Sequence, residues 1–206
     1  MEKTKGRDGI MARLLYQGHA SLRLTTKEGK NVYIDPFAGE GYDKPADLIL
    51  ITHEHYDHNA VDRCPKTNRT IIIRSKDSVN HGTYYDFEYY GIKIQATPAC
   101  NSHHDINECV GYLLELEGKK IYVAGDTDYV PYMEELGKMD IDYAFLPIDG
   151  IYNMDPKEAT RCANIIKPKN LIPYHMKPGM LFDIQQDMKV SYAHCLLVRP
   201  GDFIEI

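Results

Sequence analysis

Long hydrophobic runs are lacking in this chain of 206 residues. No stretch approaches the roughly 18 apolar residues of a membrane-spanning helix, and the first thirty residues lack the apolar segment of a secretory signal peptide. We therefore expect neither secretion nor membrane insertion, and expect the protein to be cytoplasmic. Repeats, low-complexity tracts and linkers are lacking too, and the length predicts a single domain over residues 1–206.

A paired spacing of cysteines is also missing. The cysteines are odd in number and scattered, which argues for reduced thiols and against a disulfide framework; they are Cys64, Cys100, Cys109, Cys162 and Cys195. Basic residues form no long run, and the formal net charge is −6 with neutral histidines. Because nucleic-acid-binding proteins present a basic face, we expect no nucleic-acid partner.

Candidate metal ligands are concentrated in one short stretch. Residues 48–52, Leu-Ile-Leu-Ile-Thr, form a branched apolar run that predicts a buried strand. His53, His55, Asp57 and His58 follow it directly, within six positions. Imidazole and carboxylate groups bind zinc and similar divalent ions, and the end of a strand fixes their directions better than a free loop would.

The spacing of these four residues suggests two neighbouring ions. In an extended segment His53 and His55 point to the same side and can share one ion, and a turn after them can present Asp57 and His58 to a second. The alternative is an exposed polar loop, or a histidine buried by ordinary hydrogen bonding. Three histidines and an aspartate in six positions disfavour that alternative.

The motif His-Glu-His-Tyr-Asp-His at residues 53–58 resembles the His-x-His-x-Asp-His signature of the metallo-β-lactamase superfamily. The resemblance implies an α+β fold, a four-layer αββα sandwich in which helices flank two packed sheets and one or two metals bind at one edge. Among members of that family, the chain is similar to minimal single-domain metal-dependent hydrolases, including the branch near the ascorbate-phosphate lactonases.

Three further candidate ligands occur in the order that this family has. An Asn-x-x-His spacing before Cys-Val-Gly-Tyr favours His104 as the third histidine ligand, with the adjacent His103 as the alternative. Gly-Asp-Thr resembles the family element whose aspartate, here Asp126, bridges both metals. His175 follows a predicted strand and matches the last ligand of the family.

The resemblance implies a dinuclear site. Its first ion would bind His53, His55 and His104, its second Asp57, His58 and His175, with Asp126 between the two ions and with Asp57 and Asp126 as catalytic carboxylates. The cofactors would be two divalent metal ions, zinc in the first place, with manganese, iron and nickel as alternatives.

The reaction that the resemblance implies is a hydrolysis. A metal-bound hydroxide would cleave an ester, lactone or phosphodiester bond. Two divalent ions would add four positive charges to a mildly acidic protein, which favours a small anionic molecule as substrate. Two other classes stay open, an iron-dependent oxidoreductase on the same ligands and a non-catalytic metal-stabilised binding module. The oligomeric state is left open.

Three residues near these motifs have two interpretations each. His19 lies in Gly-His-Ala-Ser, an element that some relatives carry near the site, although packing is its expected role. Asp35, in Asp-Pro-Phe, resembles a family element that supports the metal-site loops, or simply forms a turn. Lys177 would contact an anionic group of the substrate or lie solvated in a loop.

The remaining pattern predicts further strands and helices. Asp155 and Pro156 indicate the start of a helix, with Asp155 as its cap, and Pro168 indicates where it ends. Branched and aromatic runs predict a strand at residues 170–174 and two closing strands at residues 194–199 and 203–206.

Overall fold

A computed structural model describes residues 11–206 of the protein. Its strands are β1 (Arg13–Gly18), β2 (Ser21–Thr25), β3 (Asn31–Ile34), β4 (Ala46–Leu50), β5 (Lys66–Ile73), β6 (Val79–Asn80), β7 (Thr83–Tyr84), β8 (Asp86–Tyr89), β9 (Ile92–Pro98), β10 (Val110–Leu116), β11 (Lys119–Val123), β12 (Tyr143–Pro147), β13 (Asn170–Tyr174) and β14 (Phe203–Glu205). Its helices are α1 (Ser75–Ser78), α2 (Tyr132–Leu136), α3 (Pro156–Ile166) and α4 (Ile184–Asp187), with a 3-10 helix at Val61–Arg63.

The strands form two large sheets and one small ribbon. The first sheet has the order β14-β1-β2-β3-β4-β5, the second has the order β13-β12-β11-β10-β9-β8, and β6 pairs with β7. β3, β4 and β5 are parallel, as are β11, β12 and β13. β1 and β3 both pair antiparallel with β2, so they run in the same direction, and the same holds for β9 and β11, which both pair antiparallel with β10. The carboxyl ends of these strands therefore meet at one edge of each sheet.

Apolar side chains fill the space between the two sheets. Because strand side chains alternate between faces, Leu48 and Leu50 of β4 lie in the core shared with the second sheet, whereas Ile49 and Ile51 lie on the opposite face. There they pack with Val61 of the 3-10 helix. Both faces of β4 are buried, which explains why its sequence is a continuous apolar run.

Helix α3 has the boundaries that its sequence signals predict. The side chain of Asp155 accepts a hydrogen bond from the Glu158 amide at 2.8 Å, and Pro156 is the first helical residue. The helix ends at Lys167, which is left-handed with a φ of 54°, directly before Pro168. Together with α2 it packs on the outer face of the second sheet. The α+β sandwich class predicted from the resemblance is confirmed.

One predicted strand is wrong. Residues 194–199 make only an isolated parallel bridge between Leu171 and Cys195, with hydrogen bonds from the Leu171 amide to His194 and from the Leu196 amide to Leu171. The next residue of β13 that faces this side is Pro173, which has no amide hydrogen to donate. The ladder ends there, and only β14 forms as the closing strand.

Two expectations about chemistry can be compared with the described residues. All five cysteines are free, in agreement with reduced thiols. No helix within residues 11–206 is long and apolar enough to span a membrane.

Helix α4 ends at a buried carboxylate that predicts a pH dependence of stability. Asp187 is 1% exposed, and neither of its oxygens has a hydrogen-bond partner among the described residues. Burial, and then Asp183, raise the pKa of Asp187 to about 7. Because the folded pKa lies above the unfolded one, the folded state holds a proton that the unfolded state loses, and this contribution to stability disappears as the pH rises from about 4 to 7.

We expect Asp187→Asn to remove this loss of stability with rising pH, because asparagine is uncharged at every pH. At pH 8 the free energy of unfolding of the variant should be about 2 to 4 kcal/mol higher than that of the wild type. At pH 4 the two free energies should be similar. Chemical denaturation at a series of pH values measures the difference between the two proteins. Asp86→Asn, on the exposed face of β8, is the control. The prediction would be refuted if the difference in the free energy of unfolding between the wild type and the variant did not change with pH.

Candidate metal centre

The candidate ligands lie where strands of both sheets end. His53 and the residues up to His58 follow β4, Asp126 follows β11 and His175 directly follows β13. Each sheet has these carboxyl ends at one edge, and the contact of His58 with Asp126 shows that the two edges adjoin, so side chains far apart in the sequence meet there. The structure brings together all seven predicted ligands, within three overlapping groups; they are His53, His55, Asp57, His58, His104, Asp126 and His175.

The first group consists of His53, His55 and His104. The Nε2 of His104 lies 3.2 Å from the Nδ1 of His55 and 3.4 Å from the Oδ2 of Asp126. The Nε2 of His53 lies 3.9 Å from the same carboxylate oxygen. His103 is exposed and packs against the Tyr152 ring instead, so the structure places His104 rather than His103 in the group.

The second group surrounds the other oxygen of Asp126. The Oδ1 of Asp126 lies 3.3 Å from the Nε2 of His58 and 3.1 Å from the Nε2 of His175. These two nitrogens are 3.2 Å apart. Asp57 and His19 offer further donor atoms within 4.8 Å of this pair. Asp126 is thus the carboxylate that contacts both groups.

The outward-facing nitrogens of His53 and His58 converge on one buried aspartate. His58 donates from Nδ1 to Asp35 at 2.9 Å, and the Thr52 hydroxyl donates to the same oxygen at 2.7 Å. Because the Thr52 hydroxyl donates its hydrogen to Asp35, it accepts a hydrogen bond from the Nδ1 of His53 at 3.1 Å. Asp35 therefore supports the metal-site loop, which was one of its two interpretations.

The outward-facing nitrogens of the other two buried histidines also meet oxygens. His104 donates from Nδ1 to the side-chain oxygen of Asn101 at 2.8 Å, and the Nδ1 of His175 lies 3.1 Å from Asp149. A histidine that donates from Nδ1 has an unprotonated Nε2 when it is neutral. The Nε2 atoms of His58 and His104 are thus acceptors when these two rings are neutral, which is the arrangement that metal-binding histidines have.

The cluster fits a bound cation. Several nitrogen and oxygen atoms that can bind a metal face one another at 3.1 to 3.4 Å, so a cation between them could be bound by several of them at once. Tetrahedral zinc with ligand distances of 2.0 to 2.1 Å separates its ligands by about 3.3 Å, which matches. The Nε2 of His53 and the Oδ1 of Asp126 are buried without a hydrogen-bond partner. The donor set can therefore hold divalent metal.

The charges of the cluster agree with this fit. Burial opposes ionisation of Asp126, but His175 and His58 hold its pKa well below the usual range, so it is a carboxylate. Burial lowers the pKa of His53 to about 2 and that of His104 to about 4, so both are neutral, as ligands must be. Burial also acts to lower the pKa of His175, but the Asp126 carboxylate outweighs it and raises the pKa to about 10. A bound ion would replace this proton.

Sequence reasoning missed two residues beside Asp126. The side-chain amide of Asn153 donates to Asp126 at 3.0 Å and to Asp149 at 2.8 Å. Asp149 also accepts hydrogen bonds from the amides of Ile151 and Tyr152. Asp149 lies two residues after the end of β12, and this position is the signal that could have found it, because Asp126 and His175 also lie shortly after strand ends.

The metal centre opens into a cleft of about 480 Å³. Around the candidate ligands its walls are formed by Tyr56, His103, Tyr152 and Pro178. Lys177 lines a different depression, together with Asp155 and Lys189, and does not line this cleft. The cleft therefore has aromatic walls and a floor of histidine and carboxylate groups.

Comparison with known proteins identifies the family. The family described as Beta-lactamase superfamily domain matches residues 13–175. A UPF0173 metal-dependent hydrolase of Thermococcus onnurineus is 33% identical over 95% of this chain and 100% of the relative. Another, from Anoxybacillus flavithermus, is 30% identical over 94% of this chain and its own full length.

A solved structure agrees with this relationship at the level of the fold. Igni18, a metallo hydrolase of Ignicoccus hospitalis, superposes with a TM-score of 0.73 at 23% identity, covering 96% of this chain and 99% of its own. With a family match over most of the chain, relatives aligned over their whole length and a shared fold, the chain belongs to the β-lactamase superfamily, among the UPF0173 metal-dependent hydrolases.

Proposed function

We propose that the protein hydrolyses an ester, lactone or phosphodiester bond in a small molecule that carries a negative charge next to that bond, using two divalent ions, zinc in the first place. The observation that supports this proposal best is the position of Asp126. Its two oxygens face two separate groups of histidines, which is the arrangement expected for a carboxylate shared by two ions.

The roles of the side chains follow from their positions. His53, His55 and His104 would hold one ion, and His58, His175 and Asp57 the other, with Asp126 shared between them. When bound, the ions supply an activated water as nucleophile and positive charge that polarises the bond to be cleaved. Asp35, Asn101 and Asp149 fix the rings of His58, His104 and His175 from behind, so that their nitrogens stay aimed inwards.

Asp57 is the candidate for orienting a water molecule in the cleft. It lines the cleft, and its side chain is 16% exposed, so a substrate or water can reach it. Burial would raise the pKa of Asp57, but the hydrogen bond from His19 and the charge of His58 hold it well below the usual range. Asp57 is therefore a carboxylate, and its oxygens can accept a hydrogen bond from a water molecule in the cleft.

The lining of the cleft supports an anionic group close to the bond that is cleaved. Among the described residues that line the cleft there is no lysine or arginine, and the negative charges are those of Asp57 and Asp126. Positive charge for a substrate anion would thus come from the ions at the floor. The aromatic walls, Tyr56 and Tyr152, would contact the remainder of the molecule.

A substrate panel tests this proposal. We expect the purified protein to hydrolyse bis(4-nitrophenyl) phosphate or a carboxylated lactone at least tenfold better, in kcat/KM, than the neutral 4-nitrophenyl acetate. Dialysis against a chelator should abolish turnover, and zinc or manganese should restore it. Turnover that survives chelation, or no hydrolysis of any member by the metal-loaded protein, would contradict the proposal.

Lys177→Ala is the matched control for the origin of the positive charge. Lys177 lies outside the cleft, and we expect the KM for anionic substrates to stay within about twofold of the wild type. Consumption of oxygen together with a visible absorption band of bound iron would instead indicate the oxidoreductase reading of the same ligands.

A further inference from the structure

His19 lies against the second group of candidate ligands and not in the general apolar core. Its ring is 3% exposed, and its Nε2 lies 3.2 Å from the Oδ2 of Asp57. Its ring centroid is 4.2 Å from that of His175. Packing, the role expected for His19, is therefore not its whole role. His19 also makes a polar contact with Asp57 and a ring contact with His175.

The backbone conformation of His19 limits which substitutions can test its side chain. Its φ is 53°, in the left-handed region, where residues with a β-carbon are strained by about 1 kcal/mol or more. Glycine would occupy this position at lower cost.

Three backbone hydrogen bonds hold His19 in this conformation. Its amide donates to the Leu181 carbonyl at 2.9 Å, and its carbonyl accepts from the His175 amide at 2.8 Å and from the Tyr16 hydroxyl at 3.0 Å. His175 itself is left-handed, with a φ of 56°. The turn after β1 and the last candidate ligand are thus fixed to each other through their main chains.

The distances distinguish His19 from the other two histidines of the second group, His58 and His175. His53, His58, His104 and His175 each have a ring nitrogen within 4.0 Å of Asp126. Among the described residues, the carboxylate that His19 approaches this closely is that of Asp57. A ring nitrogen that donates to one oxygen of a carboxylate fixes the plane of that carboxylate, and hence the direction of its other oxygen.

We propose that His19 is a positioning residue of the second metal site, and that its Nε2 hydrogen holds the Asp57 carboxylate in the orientation that binds the second ion. This inference rests on the metal site of the proposed function, but not on hydrolysis. The Asp57 carboxylate without this hydrogen bond turns freely, and the second ion loses a fixed ligand. The first group, which contains no contact with Asp57, is unaffected.

Two amide variants test the reach of the side chain. His19→Gln places an amide nitrogen about as far from the backbone as Nε2 is, and so keeps a donor to Asp57. His19→Asn is shorter and loses that donor, but tolerates the left-handed backbone, so that folding is retained. His81→Asn is the matched control, because His81 is also left-handed, with a φ of 47°, but is exposed and outside the cluster.

Zinc titration of the metal-free proteins by calorimetry, with a competing chelator, gives both binding constants without any substrate. We expect His19→Asn to weaken binding of the second ion about 10- to 100-fold and binding of the first ion less than threefold. His19→Gln and His81→Asn should bind both ions about as tightly as the wild type. Equal weakening of both ions by His19→Asn, or no weakening, would overturn the role of His19. A wild type that binds no zinc would instead overturn the proposed function.

Discussion

Asp126→Asn is expected to remove hydrolysis and to lower the metal content. Asparagine keeps the shape of the side chain but loses the charge and one of the two acceptor oxygens. The Oδ1 of Asp126 faces His58 and His175, and its Oδ2 faces His104 and His53, so either orientation of the amide breaks one group. Loss of a residue that merely supports a ligand costs about 10- to 100-fold, and loss of the shared ligand should exceed that.

The measurements are kcat/KM on the best substrate of the panel and the metal content per chain. We expect more than a 100-fold loss of kcat/KM, and about one ion or less per chain, against the two ions that we propose for the wild type. Asp128→Asn is the matched control, because Asp128 lies two residues further along and outside the three metal-binding groups. Full turnover by Asp126→Asn would sink the proposed mechanism.

Asp35→Ala is expected to have the largest effect on stability. The carboxylate is fully buried and accepts hydrogen bonds from the Thr52 amide at 2.8 Å, from the Thr52 hydroxyl at 2.7 Å and from His58 at 2.9 Å. Alanine leaves these donors without an acceptor in a site that water does not reach. We expect the free energy of unfolding to fall by about 3 to 5 kcal/mol, because a buried charged partner is removed.

The same substitution should also weaken metal binding. Without Asp35 the ring of His58 loses the partner that fixes its tautomer, so affinity for the second ion should fall by about 10- to 100-fold. Thermal unfolding of the metal-free protein separates the loss of stability from the loss of metal. Asp62→Ala, which removes an exposed carboxylate paired with Lys66, should leave both unchanged. If Asp35→Ala had an unchanged melting temperature, the supporting role of Asp35 would be refuted.

The sequence predicts those parts of the site that depend on local order along the chain. A run such as residues 48–52 predicts a strand, and the polar residues after it must lie where the strand ends. The same reasoning reaches Asp126 and His175, because each follows a strand. Together with the resemblance to the family, it identifies the candidate ligands without knowledge of how the sheets pack.

Other parts of the site depend on contacts that no local pattern encodes. His19 becomes part of the site because the turn after β1 lies beside the loop that carries Asp57, on the same edge of the sheet. Asn153 contacts Asp126 only because the loop after β12 folds back, held by Asp149. A histidine in a turn and an asparagine in a loop have many uses, and only the packing of the sheets selects between them.

The strand predicted at residues 194–199 fails for a related reason. Its own pattern is suitable for a strand, but pairing needs a donor on the neighbouring strand, and Pro173 provides none. The prediction considered each segment alone, whereas the ladder depends on both strands.

Elemental analysis of the wild-type protein, purified without a histidine tag and reconstituted with zinc, tests the central claim most directly. The two groups of donors joined by Asp126 predict about two zinc ions per chain, and one fewer in His58→Ala and in His104→Ala, each of which removes a donor from a different group. Two ions in the wild type and a loss in both variants would support the dinuclear hydrolase. No specifically bound metal after reconstitution would contradict it.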